Sequence, residues 1–137
     1  MELAPLSGND CQDNIQPIVL AVDDNEDNLT LLNQVLMILG YSFISCRDGH
    51  SAILLAQNYQ PDLILLDIML PDLDGIEVVR QLKQDPQTSQ IPIVAVTAMA
   101  RPEDRDRILA AGCVDYIKKP YIIDELETTI RRFIVGL

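Results

Sequence analysis

Four short apolar runs in this chain each stop at a group that can do chemistry. Ile18–Val22 runs into Asp23 and Asp24, Leu63–Leu66 into Asp67, Ile93–Val96 into Thr97, and Val114–Ile117 into Lys118, Lys119 and Pro120. If these ends share one edge, three carboxylates, a hydroxyl and an ammonium converge there. Crowded carboxylates repel one another, and such a cluster is stable only with a cation. The donors are all hard oxygens, so a divalent ion is expected, with Mg²⁺ first among them. Mg²⁺ keeps several waters and shares its shell with phosphate. Lys adds a point charge for phosphate oxygens, and Thr adds a hydroxyl donor. A carboxylate so placed can itself act as nucleophile and form an aspartyl phosphate.

The elements around these groups alternate. The strand at Ile18–Val22 is followed by a helix from Asp27, with Leu29, Leu32, Leu36 and Leu39 on one stripe, Asn25 or Asp27 as cap, and Gly40 as its end. Tyr41–Cys46 reads as a second strand and Asp48–Asn58 as a second helix, with Ala52, Leu55 and Ala56 inward. After the strand at Leu63–Leu66 comes a loop, Ile68–Gly75, then a helix carrying Ile76, Val79 and Leu82 that Pro86 closes. The strand Ile93–Val96 leads to a charged helix that Pro102 can start and Gly112 ends. Val114–Ile117 is the fifth strand, and a last helix from about Ile123 turns Leu126, Ile130 and Phe133 inward. Five strands alternating with five helices give βαβ units, a parallel sheet and right-handed crossovers. Ligands of such sheets bind at the carboxyl ends of the strands, which is where the reactive groups stand.

Composition limits the function classes. A chain of 137 residues with 48% hydrophobic residues builds one ordinary domain with its own core. With 4% aromatics and no Trp, that core is aliphatic. A net charge of −11 argues against binding nucleic-acid backbones, which takes clustered Lys and Arg. It does not bar phosphate chemistry, because a bound cation reverses the local field. No apolar run spans a bilayer and no signal peptide is evident, so a cytoplasmic location is expected. Cys11, Cys46 and Cys113 are scattered without metal-type spacing, which suits a reducing compartment and small buried side chains. Residues 1–16 are polar and aperiodic and read as a flexible leader before a domain at 17–137.

Asp23, Asn25 and Asp27 partly imitate a calcium-binding loop, but Asn28 stands where that loop needs Gly and Gln34 where it needs Glu. His50, alone at the start of the second helix, reads as a surface residue.

The segments VDDNEDN (22–28), LLDIMLPDLDG (65–75), VAVTAMA (94–100) and YIKKPY (116–121), with DGHSAI (48–53) and GCVDY (112–116), resemble response-regulator receiver domains over roughly residues 17–135. The resemblance implies a flavodoxin-like (βα)5 fold with strand order 2-1-3-4-5. It implies Asp67 as phosphoacceptor, and Asp23, Asp24, Asp67 and the backbone carbonyl of Met69 as Mg²⁺ ligands. It further implies Thr97 as the switch hydroxyl, Lys119 as the phosphate-pairing lysine and Tyr116 as the aromatic coupled to Thr97. Lys118 should point away from Lys119's side, and the Lys119–Pro120 bond resembles one that is cis in this family. Met69 and Met99, two residues beyond Asp67 and Thr97, are apolar where a hydrolytic water passes, so the phosphoryl group is expected to be long-lived.

The same resemblance implies a histidine kinase or histidine phosphotransfer protein as donor, docking on the first helix (Asn28, Leu32) and the loop at Pro71. A downstream protein is expected on the face of helix four, strand five and helix five, which includes Arg101, Arg105, Arg107, Tyr121 and Glu125. The charge run Arg101–Arg107 is otherwise an ordinary solvated helix face. The chain ends soon after the last helix, so the output is expected to be another protein, with the domain a monomer or weak dimer. Neither nucleic acid nor membrane is expected as a partner, and no enzymatic turnover beyond the domain's own phosphorylation and slow dephosphorylation. Three alternatives stand beside this. A receiver within a hybrid kinase shares the same motifs. A pseudo-receiver docking module would lack a site acid. A haloacid-dehalogenase-type phosphatase would need a second acid where Met69 stands.

Overall fold

The computed structural model describes residues 17–98 and 101–134. The elements run β1 (Ile18–Val22), α1 (Glu26–Leu39), β2 (Ser42–Cys46), α2 (Gly49–Tyr59), β3 (Leu63–Asp67), α3 (Gly75–Gln84), β4 (Ile93–Thr97), α4 (Pro102–Ala111), β5 (Asp115–Lys118) and α5 (Ile123–Phe133). All neighbouring strands are parallel, in the order β2-β1-β3-β4-β5. The expected flavodoxin-like architecture is therefore present. The expected leader (1–16) and Met99 lie outside the described residues.

The central strands are apolar on both sides because both faces are covered. Leu20, Val22, Ile64, Leu66, Ile93 and Ala95 pack against Ala52, Ala56, Val78, Val79, Leu82 and Ile108 of α2, α3 and α4. The alternate residues Val19, Ala21, Leu63, Leu65, Val94 and Val96 pack against Leu32, Val35, Leu36, Leu126 and Ile130 of α1 and α5. Burying each Val, Leu or Ile side chain among these contributes roughly 1.5–3 kcal/mol.

Helix ends follow local chemistry. Asn25, rather than Asp27, caps α1 by accepting from the Asn28 amide at 2.9 Å. Gly40 closes that helix at φ 90°, in the left-handed region, and its N–H reaches the carbonyls of Leu36 and Met37. Asp48 is the cap of α2 and not its first residue, bonding the Ser51 amide at 2.8 Å. Pro102 opens α4 as anticipated.

Most boundaries shift by one residue from the sequence reading, and two of the strands show why. Tyr41 is buried in the α1–β1 core, and β2 starts one residue later. Val114 is exposed, and β5 runs one residue further than expected, to Lys118. In both cases the pairing register decides, placing Ser42 opposite Ile18 and Asp115 opposite Val94. Leu55 and Phe133, expected inward, are only half-buried, each packed on the rim of a cluster.

Candidate phosphoacceptor site

The register alone brings the acids together. Ala21 pairs with Leu65 and Val22 with Leu66, so Asp23 and Asp67 leave the sheet side by side at its carboxyl edge. Both are buried, whereas Asp24, the next residue, is exposed. One carboxylate oxygen from each of Asp23, Asp24 and Asp67 falls within 4.8 Å of the others. Three hard anionic oxygens at that spacing fit a divalent cation of the Mg²⁺ type.

One side chain answers this negative charge from within the cluster. Lys119, immediately after β5, places its Nζ 3.1 Å from Asp23 Oδ2 and 3.1 Å from Asp67 Oδ2. Its backbone N–H donates to the Thr97 carbonyl at 2.8 Å, which fixes it against the end of β4. The Lys119–Pro120 bond is cis, as the resemblance implied. Lys118 is exposed, as strand alternation requires.

The remaining oxygens of the two buried acids are held by backbone. Met69 N–H donates to Asp67 Oδ1 at 3.0 Å, and Asn25 N–H donates to Asp23 Oδ1 at 2.9 Å. The loop after β3 is itself pinned. Ile68 N–H reaches the Val96 carbonyl at 3.2 Å, and Gly75 N–H reaches the Ile68 carbonyl at 2.9 Å. A side chain at Gly75 would put Cβ 2.5 Å from Ile68 Cα, so only Gly lets α3 start this close to the site.

Burial lifts the Asp67 carboxyl above the ordinary range, and the charge of Asp23 adds to this against the pull of the Met69 amide and Lys119. Burial alone would lower Lys119, but its two carboxylate partners outweigh it and hold the ammonium above the usual lysine value. A single ammonium shared between two buried carboxylates explains both directions: the lysine is over-supplied with partners and Asp67 under-supplied.

Thr97 ends β4 fully buried, one register step beyond Val96, the partner of Asp67. Tyr116 is half-buried on β5, opposite Ala95, and lines a groove of about 590 Å³ between α4 and α5. It thus lies a strand away from the carboxylates rather than among them. Met69 keeps its side chain largely exposed, at 59%.

Three contacts were not foreseen. Tyr121, read as a surface residue, directs its hydroxyl to Asp23 Oδ2 at 3.3 Å, and burial followed by the nearby acids pushes its phenol well up. Arg47 donates to the Asp24 carbonyl at 3.1 Å, clasping the acidic loop from outside. Asp72, from the loop after β3, accepts from the Gly49 and His50 amides at the start of α2. An aromatic two residues beyond Lys119 and an Arg just after β2 were visible, but nothing in their spacing says where they point.

One expectation is corrected. Leu32 cannot belong to a docking surface, because it is 1% exposed and sits in the α1 core stripe; Leu31 is the exposed neighbour. The rejection of a calcium loop stands, since Asn25 is spent as helix cap and Asp27 lies in the first turn of α1. Cys113 is buried and Cys46 half-buried, with burial pushing their thiols up to about 12 and about 11, so both behave as protonated, apolar side chains. His50 is exposed as expected, at 70%. Among the described residues, no helix is long and apolar enough to cross a membrane.

This arrangement has many counterparts. The polar-differentiation response regulator DivK of Brucella anthropi is 41% identical over 116 residues, spanning 85% of this chain and 94% of that one. Chemotaxis protein CheY4 of Vibrio cholerae superposes with a TM-score of 0.83 at 28% identity, covering 88% of this chain and 100% of the other. The receiver domain of a sensor histidine kinase from Pseudomonas aeruginosa, with a magnesium ion coordinated in its active site cleft, gives a TM-score of 0.81 at 35% identity over 87% of this chain and 98% of its own. The model of the response regulator receiver domain matches residues 19–131. With the strand order, the acidic pocket and these matches agreeing, the chain belongs to the response regulator receiver family and works in two-component signalling.

Proposed function

We propose that Asp67 accepts the phosphoryl group, from a histidine kinase or a histidine phosphotransfer protein. The observation that carries this reading is the pairing of a buried Asp67 with Lys119 at 3.1 Å beside two further carboxylates at the sheet's carboxyl edge. An Asp67 oxygen bonds to phosphorus as the bond from phosphorus to the donor imidazole nitrogen breaks, and the electron pair leaves with that nitrogen. Met69 N–H holds one Asp67 oxygen while the other attacks. Lys119 pairs with the phosphoryl oxygens as charge gathers on them. Asp23, Asp24, Asp67 and the Met69 carbonyl would hold Mg²⁺, which supplies positive charge against both the carboxylates and the phosphoryl group.

Thr97 closes on the phosphoryl oxygens and Tyr116 moves with it, shifting a population between two packings. The α4–β5–α5 surface, with its groove beside Tyr116, carries the result to a downstream protein. The domain spans residues 17–137 behind a leader at 1–16, acts in the cytoplasm as a monomer or weak dimer, and performs no chemistry beyond its own phosphorylation and slow dephosphorylation. Slow loss follows from the thioether of Met69, which offers no hydrogen bond to orient a water. Replacing Met69 with Asn should shorten the phosphoryl lifetime several-fold, and an unchanged lifetime would count against this part.

Mass spectrometry after incubation with acetyl phosphate and Mg²⁺ tests the central assignment. The wild type should gain one phosphoryl group and Asp67→Asn none. A wild type without mass gain, or an Asp67→Asn variant that gains one, overturns it.

A further inference from the structure

A cleft of about 480 Å³ opens beside the carboxylates, bounded by Asp24 and Asp74 on one hand and by Ile68, Met69, Leu70 and Pro71 on the other. Its remaining wall is Arg107, from the second turn of α4. Arg80, Arg101, Arg131 and Arg132 each meet a carboxylate. Arg105 and Arg107 are exposed and, among the described residues, engage in no hydrogen bond or ion pair. Of these two, Arg107 stands at the acidic cleft, whereas Arg105 lines the separate groove beside Tyr116.

The anionic donor meets an adverse field on its way in. Asp24 and Asp74 line the approach, and Lys119 is already shared between Asp23 and Asp67. A cation at the rim offsets this locally, and a guanidinium fork matches phosphate oxygens. We propose that Arg107 is a positioning residue for phosphorylation, receiving the phosphoryl oxygens of the incoming donor at the cleft mouth before Asp67 attacks. The inference rests on the assignment of Asp67 as acceptor. Arg107 takes no part in bond making. With acetyl phosphate, an Asp67 oxygen binds phosphorus while the phosphorus–oxygen bond to acetate breaks, and acetate leaves with the electron pair.

The test compares wild type, Arg107→Gln, Arg107→Lys and Arg131→Gln, the last removing an equal charge on distant α5. Phosphorylation is followed with acetyl phosphate as donor, at low and high ionic strength, and Mg²⁺ affinity is measured separately without donor. Arg107→Gln should lower the second-order phosphorylation constant about five- to tenfold at low salt, with the gap closing as screening rises. The Lys variant should stay within about twofold of wild type, since it keeps the point charge. Arg131→Gln and all Mg²⁺ affinities should be unchanged. An Arg107→Gln rate equal to wild type at low salt overturns the inference. So does a parallel loss of Mg²⁺ affinity, which would mean Arg107 acts through the metal pocket. A wild type that gains no phosphoryl group at all refutes the Asp67 assignment first, and the inference falls with it.

Discussion

Asp67 and Asp72 stand five residues apart around one loop, yet the protein treats their carboxylates in opposite ways. Asp67 is 2% exposed, has one backbone amide and half of a shared lysine, and its carboxyl is driven up by burial. Asp72 is exposed, but accepts from the amides of Gly49 at 2.8 Å, Leu73 at 2.9 Å and His50 at 3.0 Å, and also contacts the His50 imidazole. Those donors, led by the Gly49 amide, drive its carboxyl far below the ordinary range. The first group is left short of partners, which suits the role of phosphoryl acceptor proposed for it. The second is saturated, which suits a strut. Asp72 ties the β3–α3 loop to the N-terminus of α2, where the Gly49 and His50 amides and the helix dipole favour an anion.

This contrast can be broken in measured steps. The largest expected effect comes from removing the lysine. Lys119→Met leaves Asp23 and Asp67 buried together without a cation and should destabilise the metal-free protein by about 3 kcal/mol at neutral pH. Chemical denaturation reads this directly; a loss below experimental error would mean the two acids are better solvated than their burial implies.

Next comes Asp67 itself. Its folded-state proton affinity is raised, so ionising it disfavours the fold, and stability falls as pH rises past the unfolded value near ~3.9. Asp67→Asn should therefore be more stable than wild type at neutral pH without Mg²⁺, while taking no phosphoryl group. Thermal unfolding without metal checks this, and a less stable variant would show that the Lys119 contact outweighs burial.

The smallest effect belongs to Asp72. Its folded value is depressed, so its contribution is present above ~3.9 and lost as pH falls through and below that value. Asp72→Asn should unfold more readily than wild type at neutral pH and converge with it in acid. Parallel curves across the acid range would show that the strut does not depend on charge.

Local patterns in the sequence settled the five strands, the five helices and the parallel sheet, because short apolar runs and helical stripes are local properties of the chain. The candidate set, Asp23, Asp24, Asp67, Thr97 and Lys119, was legible for the same reason: each stands at or just past the end of a strand, and parallel strands bring their carboxyl ends to one edge. Beyond the helical stripes, side-chain direction was not legible. The stripe already marked Leu32 as inward, which argues against its docking role, and packing buries it while Leu31 stays exposed. Tyr121 looked like a surface residue until the chain after Lys119 brought its hydroxyl to Asp23. Asp72 lies in a loop and Arg107 at the end of a charged run, places that a sequence reads as solvated. That one is saturated by α2 and the other left free over a cleft depends on contacts across 22 or more residues of chain, and such contacts exist only once the sheet has assembled.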